Sequence, residues 1–100
     1  MSSVFKAIAD PTRRSILEML REQEMSAGEI ADRLTISKPT LSGHLAILKE
    51  AGLVDVTRAG TTLIHRLNLS VLEDALVALM SRMSIDLSKG RAAASEETPS

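Results

Sequence analysis

The sequence predicts a mainly α fold, about five helices with one small β-hairpin, and three observations carry the prediction. Apolar residues recur at helical spacing in five stretches, each close behind a helix-starting residue or pair. Two of those stretches are parted only by Thr35-Ile36, so the helices they form must cross steeply. Two strand-like runs, 53–58 and 61–67, flank Ala59-Gly60 and fall between the fourth helix and the fifth.

Each element follows from its own residues. Val4, Phe5, Ile8 and Ala9 set a short first helix that begins after Ser2 or Ser3. Asp10-Pro11 ends it, because proline disfavours helix in the residue before it and suits the first position of the next helix, with Asp10 as cap. The second helix runs from Pro11 to about Arg21 with Ile16, Leu17 and Leu20 inward. Ser26-Ala-Gly-Glu29 is a capping box that opens a short third helix to about Leu34. Ser37 caps a fourth helix, with Pro39 in its first turn, which continues to about Ala51 and stops at Gly52. After the hairpin, Ser70-Val-Leu-Glu73 is a second capping box opening a long helix, whose Val71, Leu72, Ala75, Leu76, Leu79, Met80 and Met83 form one stripe. The small, polar and charged residues 88–100 predict a disordered tail, leaving 1–87 as a single domain.

Composition narrows the function. One hundred residues make one domain, and with Phe5 the only aromatic its core rests on aliphatic side chains that bury little area each. Such a chain is a marginal monomer that gains from burial against a second copy. The absence of cysteine excludes disulfides, thiolate metal sites and thiol redox sensing. No run approaches the ~18 apolar residues of a membrane span, and the first residues, Met1-Ser-Ser-Val-Phe-Lys6, do not read as an export signal. A soluble cytoplasmic protein is expected. The net charge of −1 is not that of an indiscriminate polyanion binder. Between residues 36 and 67, however, Lys38, Lys49, Arg58 and Arg66 outnumber Glu50 and Asp55.

Two helices joined by so short a turn form a helix-turn-helix, and a hairpin directly after it supplies a wing. On the fourth helix Leu41, His44, Leu45, Leu48 and Ala51 share one sector, with Ile47 at its margin, whereas Pro39, Ser42, Gly43 and Ala46 face the other way with Lys38 at the edge. This outward face is small and polar, and it starts at a helix N-terminus, whose amides and dipole favour phosphate. Ser37, Lys38, Thr40, Ser42, Gly43 and His44 are therefore candidate DNA contacts in a major groove, and Arg58 and Thr61, beside the hairpin turn, are candidate wing contacts. Each has a plainer reading. Ser37 is also a cap, Lys38 a solvated charge, and Arg58 with Thr61 an ordinary exposed turn. His44 is open between a hydrogen-bonded structural histidine and a phosphate ligand, while His65, in phase with Leu63 and Leu67, is read as structural. Arg13 and Arg14 are open between phosphate contacts and a solvated face beside Asp10 or Glu18.

Three motifs carry a family resemblance. Asp10-Pro-Thr-Arg-Arg-Ser-Ile-Leu17, Ser37-Lys-Pro-Thr-Leu-Ser-Gly-His-Leu45 and Leu48-Lys-Glu-Ala-Gly-Leu-Val54 resemble the signatures of ArsR-type winged-helix repressors. With Val4-Phe-Lys-Ala-Ile-Ala9 and Ile36-Ser-Lys-Pro39 the chain is similar to the metal-independent SdpR-type autorepressor branch, over about residues 4–83. The resemblance implies a winged helix-turn-helix homodimer paired through its first and last helices, with a recognition helix over about Lys38–Ala51. Val4, Phe5, Ile8, Leu72, Leu76, Leu79, Met80 and Met83 are the candidate interface. The family's thiolate metal site needs a Cys-x-Cys type pair where this chain has Gly28-Glu-Ile-Ala-Asp-Arg33, and the other site needs histidines on the last helix, which has none. Neither a metal nor another cofactor is expected.

The sequence thus points to a homodimeric, sequence-specific transcriptional repressor of double-stranded DNA with a near-palindromic operator, and names no small-molecule inducer. The competing reading is a winged-helix module for protein–protein assembly without an operator of its own. The face 38–43 discriminates between them, because a small polar surface suits DNA and a large apolar one a protein partner. No nucleophile–base pair or cofactor loop supports an enzyme.

Overall fold

A computed structural model describes residues 2–85; the expected tail lies outside the described residues. Five helices and three strands follow in the order α1 (Ser2–Ile8), α2 (Pro11–Glu22), β1 (Met25–Ser26), α3 (Ala27–Leu34), α4 (Lys38–Glu50), β2 (Val54–Ala59), β3 (Thr62–Leu67) and α5 (Leu69–Arg82). The starts of α2 and α3 form as the sequence requires. Asp10 Oδ2 accepts the Arg13 backbone N–H at 3.0 Å, and Ser26 and Glu29 exchange both bonds of a capping box. Thr35 closes α3 in the left-handed conformation, at φ 55°, and its amide still bonds to Ala31 O. That tight reversal is why the two helices of the helix-turn-helix lie so close in sequence. Gly52, at φ 79°, ends α4.

Three local expectations need correction. Met25-Ser26 is a strand the periodicity missed. It pairs antiparallel with β3, Met25 opposite His65 and Ser26 opposite Ile64, giving a three-stranded sheet in the order β1-β3-β2. The hairpin turn is Gly60-Thr61 rather than Ala59-Gly60, because Ala59 is paired with Thr62. This register places glycine, at φ 65°, at the first central position, where a two-residue II′ turn needs a positive φ. The expected capping box at Ser70 does not form. Asn68 is the cap residue of α5, its backbone N–H is bound to Leu53 O at 2.8 Å, and Ser70 Oγ donates to Asn68 Oδ1 instead.

The core joins Ala7 of α1, Ile16 and Leu20 of α2, Met25 of β1, Ile30 of α3, Leu41, Leu45 and Leu48 of α4, and Leu53 with Val54 at the start of the hairpin. Val4 belongs to it as well. At 6% exposed in the single chain it has almost no surface to give to a second copy. The other half of the expected seam behaves differently. On α5 the stripe splits, with Ala75 buried and Val71 packed against the core, while Leu76, Leu79 and Met83 stay exposed. Leu69, not anticipated, is exposed on the same side. Among the described residues no helix is long and apolar enough to cross a membrane.

Candidate nucleic-acid interface

Burying Leu41, Leu45 and Leu48 fixes the rotation of α4, so Lys38, Pro39, Thr40, Ser42, Gly43 and Ala46 are left exposed, as the angular spacing demands. A Cβ built at Gly43 meets nothing within 4 Å, so this surface is open. At its N-terminal end Ser37 does double duty. Its Oγ accepts the Thr40 backbone N–H at 3.3 Å and donates to Thr40 Oγ1 at 2.9 Å. The Ser37 hydroxyl is therefore spent inside the helix cap, while the Thr40 hydroxyl keeps its own proton for an outside acceptor. The first turn offers fewer free amides than a helix start usually does. Pro39 has none, and those of Thr40 and Leu41 bond to Ser37, so the Lys38 N–H is the one left without a partner among the described residues.

The wing stands beside this face. Thr61, in the hairpin turn, lines with Thr62 and Leu63 one wall of a groove of about 590 Å³. Lys38, Ser42, Ala46 and Lys49 of α4 line the other, and Ser26–Gly28, at the start of α3, complete it. Arg58 is exposed on β2 directly opposite Leu63, hence on the same face of the hairpin. Lys49 is a contact candidate that the sequence reasoning left out. It follows Lys38 by three helical turns and returns to the same side, a signal that a full angular sort of the helix contains. Among the described residues no carboxylate lies within 4 Å of the cationic groups of Lys38, Lys49 or Arg58; the ion pair is Glu24–Arg66, and Asp10 Oδ2 lies 3.9 Å from His44 Nδ1.

The three open residues, His44, Arg13 and Arg14, all make contacts within the fold. His44 is half-buried, with Nδ1 3.2 Å from Arg13 Nη1 and 3.9 Å from Asp10 Oδ2, so that nitrogen is engaged by α2. Arg13 Nε donates to Ala7 O at 2.7 Å, and Arg14 Nη1 donates to Ile8 O at 2.8 Å. Both arginines cap the C-terminal carbonyls of α1, where the helix dipole favours cations. His65 is 6% exposed beneath the groove. Burial pushes its pKa below the ordinary histidine value, a Met25 backbone group opposes this, and the Lys49 charge adds to it. Among the described residues there is no cluster of three or more His, Asp or Glu side chains able to hold a metal ion.

The arrangement has known counterparts. The profile of the family described as "Bacterial regulatory protein, arsR family" matches residues 10–56. The chain is 49% identical over 76 residues to the transcriptional repressor SdpR of Bacillus subtilis, covering 76% of this chain and 84% of that protein. It is 36% identical over 80 residues to the transcriptional activator HlyU of Vibrio cholerae, covering 80% of this chain and 73% of that one. Among solved structures it is similar to the homodimeric winged helix-turn-helix DNA-binding domain of a possible ArsR-family regulator from Mycobacterium bovis. That match has a TM-score of 0.68 and 31% identity, covering 85% of this chain and 81% of the other.

Proposed function

The chain belongs to the ArsR family of bacterial regulatory proteins, and from that premise we propose that it is a homodimeric, metal-independent repressor that binds a near-palindromic operator, its own promoter included. The observation that carries the reading is the open face of α4, where Thr40, Ser42 and Gly43 are exposed and Lys38, Ser42, Ala46 and Lys49 line a groove across from the wing. Small side chains let the helix backbone approach base edges, and the hydroxyls and amines reach phosphates and bases. Two copies related by a two-fold axis would place two such helices in successive major grooves, about 34 Å apart. Repression then needs no chemistry, since the dimer occupies the promoter. Metal independence is supported by the donor set, because the chain has no cysteine and α5 no histidine.

A mobility shift with the full chain and the DNA upstream of its own coding sequence tests this. The wild type is expected to shift that DNA, and Ser42→Glu, which puts a carboxylate against the phosphates, to abolish the shift while sedimentation still shows a dimer. A Ser42→Glu protein that keeps its operator affinity would remove α4 from the interface. A reporter fused to the same promoter separates repression from activation, which matters because HlyU is named an activator.

A further inference from the structure

We infer that Arg13 is a positioning residue that fixes the recognition helix α4 relative to the seam helix α1, and thereby fixes the half-site spacing the dimer reads. The inference rests on the DNA-binding dimer proposed above. One guanidinium makes three contacts with two elements. Nε donates to Ala7 O at 2.7 Å, Nη2 to Lys6 O at 3.3 Å, and Nη1 lies 3.2 Å from His44 Nδ1, 31 residues away on α4. The arginine always carries its protons, so it is the donor, and the His44 Nδ1 lone pair is the acceptor. Its backbone is held in turn, because the Arg13 N–H donates to Asp10 Oδ2 at 3.0 Å.

This is a rigid planar fork set between the last carbonyls of α1 and the middle of α4. A lysine cannot reproduce it, since one ammonium cannot reach three separated acceptors in a fixed plane. The neighbouring arginine supplies a built-in contrast. Arg14 bonds to Ile8 O and so caps the same helix end, and no hydrogen bond joins it to α4 among the described residues. If α1 rests in the dimer seam and α4 on the DNA, loosening the Arg13 fork lets the two recognition helices vary in separation. One base pair of spacing moves a half-site by about 3.4 Å and turns it by about 35°. A dimer held stiffly rejects that change, and a loosened dimer tolerates it.

The test compares affinities for two duplexes. The full-length wild type first selects its site from a random duplex pool, and the site is then remade with one base pair inserted between the half-sites. The wild type is expected to prefer the selected spacing by about tenfold or more, the scale of one wrong base pair. Arg13→Lys and His44→Ala are expected to bring that ratio to within about threefold, whereas Arg14→Lys keeps it, and His44→Asn, whose amide oxygen can take the place of Nδ1, restores it. The ratio is the informative quantity, because a loss of folded protein lowers both affinities alike. His44→Ala leaves the α1 contacts of Arg13 intact, so it reports even where Arg13→Lys folds poorly. A wild type that selects a site, with both variants keeping its full spacing preference, overturns this inference alone. A wild type that selects no site overturns the DNA-binding reading and this inference with it.

Discussion

His65 carries a nitrogen, Nδ1, that is buried without a hydrogen-bond partner among the described residues. Its burial is the main reason its pKa lies below about 6.5. In the unfolded chain the ring takes a proton as the pH falls through that value, while in the folded chain it resists. The unfolded state then binds more protons, so stability falls with decreasing pH below about 6.5. Urea unfolding of the wild type and of His65→Leu at pH 5.5 and 7.5 should show the wild type losing more stability on acidification than the variant. An equal loss in both would mean that the ring protonates as readily folded as unfolded. The lowered carboxyls of Asp10 and Glu29, each stabilised mainly by a backbone N–H, act in a separate window below their ordinary values, where protonation removes the caps of α2 and α3. The inward phase of His65 was legible from its alternation with Leu63 and Leu67. The partner of His44 was not, because Arg13 lies 31 residues away and only the packing of α2 on α4 brings the two together.

Gly43 separates stability from function within a single element. It sits inside α4 with open space where a Cβ would stand. Gly43→Ala should therefore raise stability by about 0.5–1 kcal/mol, the usual difference between the two residues in a helix interior. The same methyl would stand between the helix and the DNA, so operator affinity should fall by about tenfold or more, equivalent to about 1.4 kcal/mol. Thermal unfolding and a binding titration on one preparation check both signs, and an alanine variant that binds as tightly as glycine would mean that no close approach occurs there. Helices were the legible elements, since the faces of α2, α3 and α4 follow from apolar spacing and their starts from Asp10, Ser26 and Ser37. β1 was not legible, because two residues cannot display a period of two. The two Ser-x-x-Glu motifs show why a local signature is incomplete. Ser26 forms its box, whereas at Ser70 the chain is already turned into α5 by the Asn68–Leu53 backbone bond, a contact set by the hairpin.

Across the whole molecule, the apolar surface on α5 has the form of a seam. Successive residues of a helix are 100° apart, so Leu69, Leu76 and Met83 recur every seven residues and fall within about 20° of one line, flanked by Leu72, Leu79 and Met80. Leu69, Leu76 and Met83 are 43%, 40% and 61% exposed in the single chain, while Ala75 and Val71 on the opposite side hold α5 to the core. Phe5 and Ile8 of α1 are half-buried, with surface left to give. Fully burying a side chain of this size is worth about 1.5–3 kcal/mol, so covering several that are partly exposed supplies a stability that a small aliphatic core lacks. If a second copy covers them, thermal stability must depend on protein concentration by mass action. The double variant Leu76→Asp, Leu79→Asp changes two exposed positions and no buried core side chain. It should sediment as a monomer, lose the concentration dependence, and keep its helical circular dichroism at low temperature. Its operator affinity should fall by about 100-fold or more, because two half-site contacts no longer share one dimer's effective concentration. A double variant that remains dimeric would place the seam elsewhere, whereas a monomer that binds the operator at full strength would show that the two recognition helices do not act as a pair.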